Sequence, residues 1–245
     1  MSSYISRIYS AVHRLGLRRA AGMACARSGS TRALKTLLAQ RFDFYHGTTT
    51  TGIVKLETLS IDSDRKSAGE FYVATPRYEF SSIMRCLPLE RRDYVFVDLG
   101  CGMGAVLLYA IATGFRRALG VEFSSQLAQI ARENASKFLK DHDGDINITV
   151  GDAAEFDIPM QPCVLFLFNP FSSAVTSAVL RNVKQVHDAC HQEIYIIWYN
   201  ITDNASPLFE QPWLEQHAVR DTRARPNSFL NAANFRLPFA IFKVR

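Results

Sequence analysis

The chain lacks long apolar runs. Its strongly apolar stretches, such as Cys163 to Phe168, are the length of a buried strand, well short of the 18 residues a membrane-spanning helix needs. It also lacks internal repeats and low-complexity tracts, which argues against a solenoid or fibrous array. The five cysteines (25, 86, 101, 163, 190) form no C-x-x-C and are odd in number. They read as reduced thiols in a cytoplasmic protein, not as a disulfide framework or a zinc site. Histidines 46, 142, 187, 191 and 217 are scattered, and the i, i+4 pair His187/His191 has no third ligand, so no metal is expected. Acidic residues are missing from the first 42 positions, which carry Arg7, Arg14, Arg18, Arg19, Arg27, Arg32, Lys35 and Arg41. With a net charge of +5 for the whole, residues 43–245 hold three more acids than bases. A basic, nucleic-acid-binding body is therefore not indicated.

A length of 245 residues suits one α/β domain with an N-terminal extension. The organising stretch is Val95 to Gly104, VFVDLGCGMG: a β-branched and aromatic run ending in an acid, a glycine-rich turn, then a helical segment from Ala105. Glycines let the backbone turn sharply and approach a ligand closely, and the helix that follows points free N–H groups at it. A dinucleotide fingerprint is G-x-G-x-x-G. Here the glycines fall at 100, 102 and 104, giving D-x-G-x-G-x-G.

Strand and helix patterns then alternate. Strands are expected at 94–98, 117–123, 146–150, 163–168 and 193–199. Helices are expected at 77–86, 103–113, 124–141, 152–156, 172–189 and 206–212. Thr75 is placed as an N-cap with Pro76 at the first helical position. Residues 213–221 and 235–244 are strand-like with no helix between them. The predicted fold is a doubly wound α/β domain, with a mostly parallel sheet of about seven strands and a terminal antiparallel pair. An N-terminal extension of one or two helices precedes it. The division expected is 1–70 as basic helical extension and loop, and 71–245 as the α/β domain. The small-residue loop His46 to Gly52 reads either as a lid over a ligand or as a plain connection.

D-x-G-x-G-x-G resembles motif I of class I S-adenosylmethionine (SAM) methyltransferases, and the stations after it fall where that resemblance implies. Gly100, Cys101, Gly102 and Gly104 line the methionine end, with Asp98 facing its ammonium. Cys101 itself reads as a small residue that fits the turn, not as a reactive thiol. Glu122, ending the second strand 24 residues after Asp98 and followed by Phe123, suits the ribose diol. Asp152 and the N–H of Ala153 suit the adenine edge, and Asp152 serves equally well as a helix cap. Asn169-Pro170-Phe171 ends the fourth strand. There the asparagine carbonyl can orient an amine towards the methyl, and Asn169 also borders the cofactor. Proline stiffens the turn, and Phe171 walls a flat acceptor. This triplet is similar to the N-P-P-Y/F motif of amino-methyltransferases acting on adenine or glutamine, but it lacks the second proline.

Tyr72-Val-Ala-Thr75-Pro76 looks like the Y/F-x-x-T segment that lines the cofactor pocket of seven-strand protein lysine methyltransferases. Over its whole length the chain looks most like bacterial class I methyltransferases without a settled substrate. The resemblance implies SAM as cofactor and no metal. It also implies methyl transfer to nitrogen, less readily oxygen, of a small-molecule or protein acceptor, with nucleic acid less favoured. Tyr72, Tyr199 and Asn200 are the polar groups expected near that acceptor. The alternatives are a SAM-binding scaffold or sensor without turnover, an adenine-type nucleic-acid N-methyltransferase, and an oxidoreductase. The arginine-rich N-terminus reads either as a solvated helical cap or as a functional segment, that is, a surface for an acidic partner or membrane or, in a eukaryote, a mitochondrial import signal.

Overall fold

A computed structural model describes residues 40–51, 53–55, 71–168, 172–201, 206–220 and 237–245. The chain divides into two compact units, one holding residues 1–42 and 226–235, the other 43–225 and 236–245. Of the first, only the helical residues 40–42 are described. The basic segment before them lies outside the described residues.

The second unit contains a short hairpin, β1 (Ile53–Lys55) and β2 (Phe71–Val73), and a seven-stranded sheet. Elements of the sheet layer follow in order: α1 (Arg77–Met84), β3 (Val95–Leu99), α2 (Ala105–Ala112), β4 (Arg117–Glu122), α3 (Ser125–Phe138), β5 (Asp145–Val150), β6 (Cys163–Phe168), α4 (Ser173–Cys190), β7 (Ile194–Tyr199), α5 (Ser206–Phe209), β8 (Leu214–Arg220) and β9 (Phe239–Val244). The sheet order is β5-β4-β3-β6-β7-β9-β8. The first five strands are parallel, and β9 runs antiparallel to both β7 and β8. The expected terminal pair is therefore present, with β9 inserted between β7 and β8.

The alternation of side chains along each strand separates two layers. Phe96 and Phe166 meet Phe80 of α1 on one face, with ring centroids 5.6 and 6.2 Å away. Val97, Leu165, Leu167, Ile196 and Trp198 join Val179, Leu180 and Val183 of α4 in a mainly aliphatic cluster. Covered on both faces, β3, β6 and β7 are apolar almost throughout, as parallel strands are. The edge strands β5 and β8 are mostly exposed.

Several boundaries differ from the sequence reading. Pro76, not Thr75, is the N-cap of α1. Its ψ of 136° is extended, and its carbonyl accepts from the N–H groups of Glu79 and Phe80. Thr75 makes no cap bond and is buried one residue earlier. The helix expected at 152–156 is a single 3-10 turn, Ala153–Glu155, and α5 is one turn long. The hairpin β1–β2 was not foreseen.

Candidate active site

The sheet order reverses between β3 and β6, which opens a crevice at the carboxyl ends of these strands. The glycine loop fills its floor. Gly100, Gly102 and Gly104 all take positive φ (92°, 53° and 83°). At Gly104 a Cβ would also stand 3.2 Å from Ala131 Cβ on α3, so glycine is required there twice over. The loop is held to β4 through two N–H groups, Gly100 and Cys101, which both donate to the Val121 carbonyl (2.9 and 3.0 Å). Gly120 lets this contact form, since a Cβ there would fall 2.8 Å from Cys101 Sγ. α2 starts from Gly104 with no side-chain cap, leaving its first-turn N–H groups without intrahelical partners.

Three acids stand at the ends of adjacent strands. Asp98 lines the crevice with Thr75, Gly100, Cys101, Phe166 and Phe168. It is 3% exposed, and burial, then the nearby Glu122 carboxylate, push its pKa well above the ordinary 3.8, with no hydrogen bond among the described residues to offset them. Glu122 is also raised by burial, against which the N–H groups of Ser124 and Gly102 pull back. Its two oxygens accept from those groups at 3.0 and 2.9 Å, so the carboxylate braces the loop and starts α3. Asp152 Oδ1 accepts from Ala154 N–H at 2.9 Å, the capping role weighed for it. Gly151 N–H donates to the Glu122 carbonyl, which seats Asp152 and Ala153 beside β4, while Phe123 follows Glu122 directly and is half-buried. Cys101 is a buried thiol whose ionisation burial and both acids suppress.

A family model described as a methyltransferase domain matches residues 96–190. No curated protein matches the chain. A putative methyltransferase, yhhF, from Escherichia coli is 14% identical over 79% of this chain and 99% of its own, with a TM-score of 0.52. The PH0226 protein of Pyrococcus horikoshii OT3 is 14% identical over 78% and 97%, with a TM-score of 0.50. An RNA methyltransferase from Salinibacter ruber, solved with S-adenosyl-L-homocysteine (SAH), is 17% identical over 70% and 94%, at 0.47. At such identities the likeness speaks for the fold and not for the acceptor. Residues 96–190 match a methyltransferase domain.

The residues of this methyltransferase domain suit SAM on their own chemistry. Among the described residues no donor reaches the buried Asp98 carboxylate, which therefore suits a cation, and the left-handed glycines leave room against the backbone.

The other half of the carboxyl edge is aromatic. Register aligns Phe168, Tyr199, Phe239 and Arg220 across four strands. The Phe168 and Tyr199 rings lie 4.8 Å apart, and the Arg220 guanidinium sits 4.6 Å over Phe239. Glu79 of α1, 1% exposed, pairs with Arg220, which also donates to the Leu237 carbonyl at 2.8 Å. Tyr199 is buried, and burial and the Glu79 charge raise its pKa. Asn200 adopts a left-handed φ of 63° and donates its N–H to Pro238. Asn169, Pro170 and Phe171 lie outside the described residues, and Tyr72 contributes only its strand position.

Sequence reasoning missed two residues beside the loop. Asp43, 8% exposed, accepts from the Thr48, Thr50 and Thr51 hydroxyls at 2.7–2.8 Å and from the Thr50 and Thr51 N–H groups. Burial raises its pKa, but these donors outweigh it and the net shift is downward. Asn134, inside α3, bonds to Thr49 and to the Met103 carbonyl. The run of threonines after an aspartate was the available signal for the first. For Asn134 it was a helix-disfavouring polar residue among alanines. His187 Nδ1 meets the Gln192 carbonyl at 2.9 Å and His191 is the left-handed C-cap of α4, so their pairing serves the helix end. Among the described residues no three His, Cys, Asp or Glu groups could hold a metal.

Proposed function

We propose that this protein methylates a nitrogen of a small-molecule or protein acceptor by in-line displacement, with oxygen the less favoured atom. The observation that carries the reading is the buried, unpartnered Asp98 beside a left-handed glycine loop at the sheet's switch point. SAM supplies an already activated sulfonium methyl, so the chain's task is alignment. Asp98 accepts from the cofactor ammonium. Gly100, Cys101, Gly102 and Gly104, with the first turn of α2, receive its carboxylate. Glu122 and Phe123 take the ribose, Asp152 and the Ala153 N–H take the adenine, and Tyr72 and Thr75 close the near wall. Asn169 holds the acceptor amine, with Pro170 stiffening the turn and Phe171 against the acceptor. This acceptor assignment rests on their position after β6 in the sequence.

We also place the reaction in the cytoplasm. Cys86, Cys101, Cys163 and Cys190 are unpaired, and among the described residues no helix is long and apolar enough to cross a membrane. The basic N-terminus offers a surface for an acidic partner or membrane, and residues 71–245 are read as the methyltransferase domain.

Calorimetry with SAM, SAH and NADH, followed by labelled-SAM transfer into separated protein, nucleic-acid and small-molecule fractions, tests the reading. The expected result is SAH binding and label in the protein or small-molecule fraction, lost in Asn169→Ala. Binding of NADH alone would sink it. Cofactor binding with no labelled product in any fraction would make the protein a SAM-binding scaffold.

A further inference from the structure

Asn134 joins three pieces of backbone. Its Oδ1 accepts from Thr49 N–H at 2.8 Å, and its Nδ2 donates to the Thr49 and Met103 carbonyls, each at 3.0 Å. The side chain is 1% exposed, and all three bonds are long-range in sequence. Met103 stands between the left-handed Gly102 and Gly104, so fixing its carbonyl fixes the peptide plane from which α2 starts. One turn earlier on the same helix, Ala131 occupies the space that a Cβ at Gly104 would need. α3 thus shapes the loop at two points, by sterics at Ala131 and by a hydrogen bond at Asn134.

Thr49 is itself held. It lies within the segment that the Asp43 carboxylate gathers through three hydroxyls and two N–H groups. Residues 48–51 are tied on one side to Asp43 and on the other, through Asn134, to the glycine loop.

We propose that Asn134 is a positioning residue of the cofactor loop, and that Asp43 acts through it, so that ordering of residues 48–51 and cofactor affinity are coupled. The proposal rests on SAM occupying the glycine loop. Linkage makes the coupling reciprocal: what loosens the segment weakens the cofactor, and the bound cofactor tightens the segment. A leucine at 134 would also strand the buried Met103 carbonyl.

The test is SAH calorimetry on the full chain for wild type, Asn134→Leu, Asp43→Asn and the double variant, with hydrogen exchange of residues 48–51 with and without SAH. The expected result is SAH affinity lowered roughly ten- to hundred-fold by Asn134→Leu and roughly three- to ten-fold by Asp43→Asn. The double variant should lose less than the product of the two, because both act through Thr49. SAH should slow exchange at 48–51 in wild type only. Additive losses would mean that Asp43 merely supports the fold, and would overturn its part. Affinity within two-fold of wild type in folded Asn134→Leu overturns the proposal. If that variant does not fold, the same result in Asp43→Asn, with exchange at 48–51 unmoved by SAH in wild type, overturns it. Wild type that fails to bind SAH fails the cofactor reading itself, and the proposal with it.

Discussion

The two halves of the sheet's carboxyl edge treat buried charge in opposite ways. On the β3–β4 side, Asp98 and Glu122 are buried together, and neither forms an ion pair among the described residues. On the β8–β9 side, the one buried acid, Glu79, is met by Arg220, which is further satisfied by Leu237 and by the face of Phe239. Uncompensated charge held in place by the fold stores affinity for a cation from outside. Compensated charge stores stability. In the first half the buried acids face no cation among the described residues, while in the second Arg220 neutralises Glu79, whose Oε1 alone lacks a hydrogen bond, beside the buried rings of Tyr199 and Phe239.

The contrast can be broken most forcefully at Glu79. Glu79→Ala leaves Arg220 without its anion, and denaturant unfolding should show a loss of about 3–5 kcal/mol. SAH affinity of the folded variant should stay within about two-fold of wild type. A large affinity loss would erase the distinction between the halves.

Asp98→Asn should do the reverse. SAH binding should weaken by about 1.5–3 kcal/mol, the range for a hydrogen bond to a charged group. The unliganded protein should become no less stable, because a buried acid has been removed. The pH dependence has a definite sign. An acid whose folded pKa is raised binds its proton more tightly in the folded state, so unliganded stability falls as pH climbs from the ordinary 3.8 through the raised value. SAH affinity should rise over the same window, as the carboxylate forms to receive the ammonium. Denaturant unfolding and calorimetry followed as pH climbs from 3.8 should show these opposed slopes in wild type, flattened in Asp98→Asn. Parallel slopes would mean that Asp98 does not meet the ligand's cation.

The smallest effect is expected at Asp152. Removing its bond to Ala154 N–H in Asp152→Ala should cost about 1 kcal/mol of stability, as lost N-caps do. If Asp152 also accepts from adenine, SAH should weaken in the variant while the nucleobase-free fragment homocysteine does not.

What could be read from the sequence divides along the same line. The glycine loop, the acids at strand ends and the strand–helix alternation are local signals, each legible within about ten residues. The Asn134–Thr49 bond spans 85 positions and the Glu79–Arg220 pair 141, and no local periodicity reports such partners. Pro76 was misplaced by one residue because its fixed φ suits both the N-cap and the first helical position, and only ψ separates them. The three-residue strands of the hairpin are too short for a period of two to register.

The insertion of β9 between β7 and β8 also bears on the order of folding. Although β8 precedes β9 along the chain, it reaches the sheet only through β9, at Leu214↔Val244 to Arg220↔Phe239. During synthesis, β3 to β7 can pair as they emerge, whereas β8 must wait, unpaired and solvated by water, until residues 239–244 are free of the ribosome. The exposed, polar pattern of β8 (Glu215, Gln216, His217) suits that interval, since a waiting strand of this composition has little tendency to recruit the edge of another molecule.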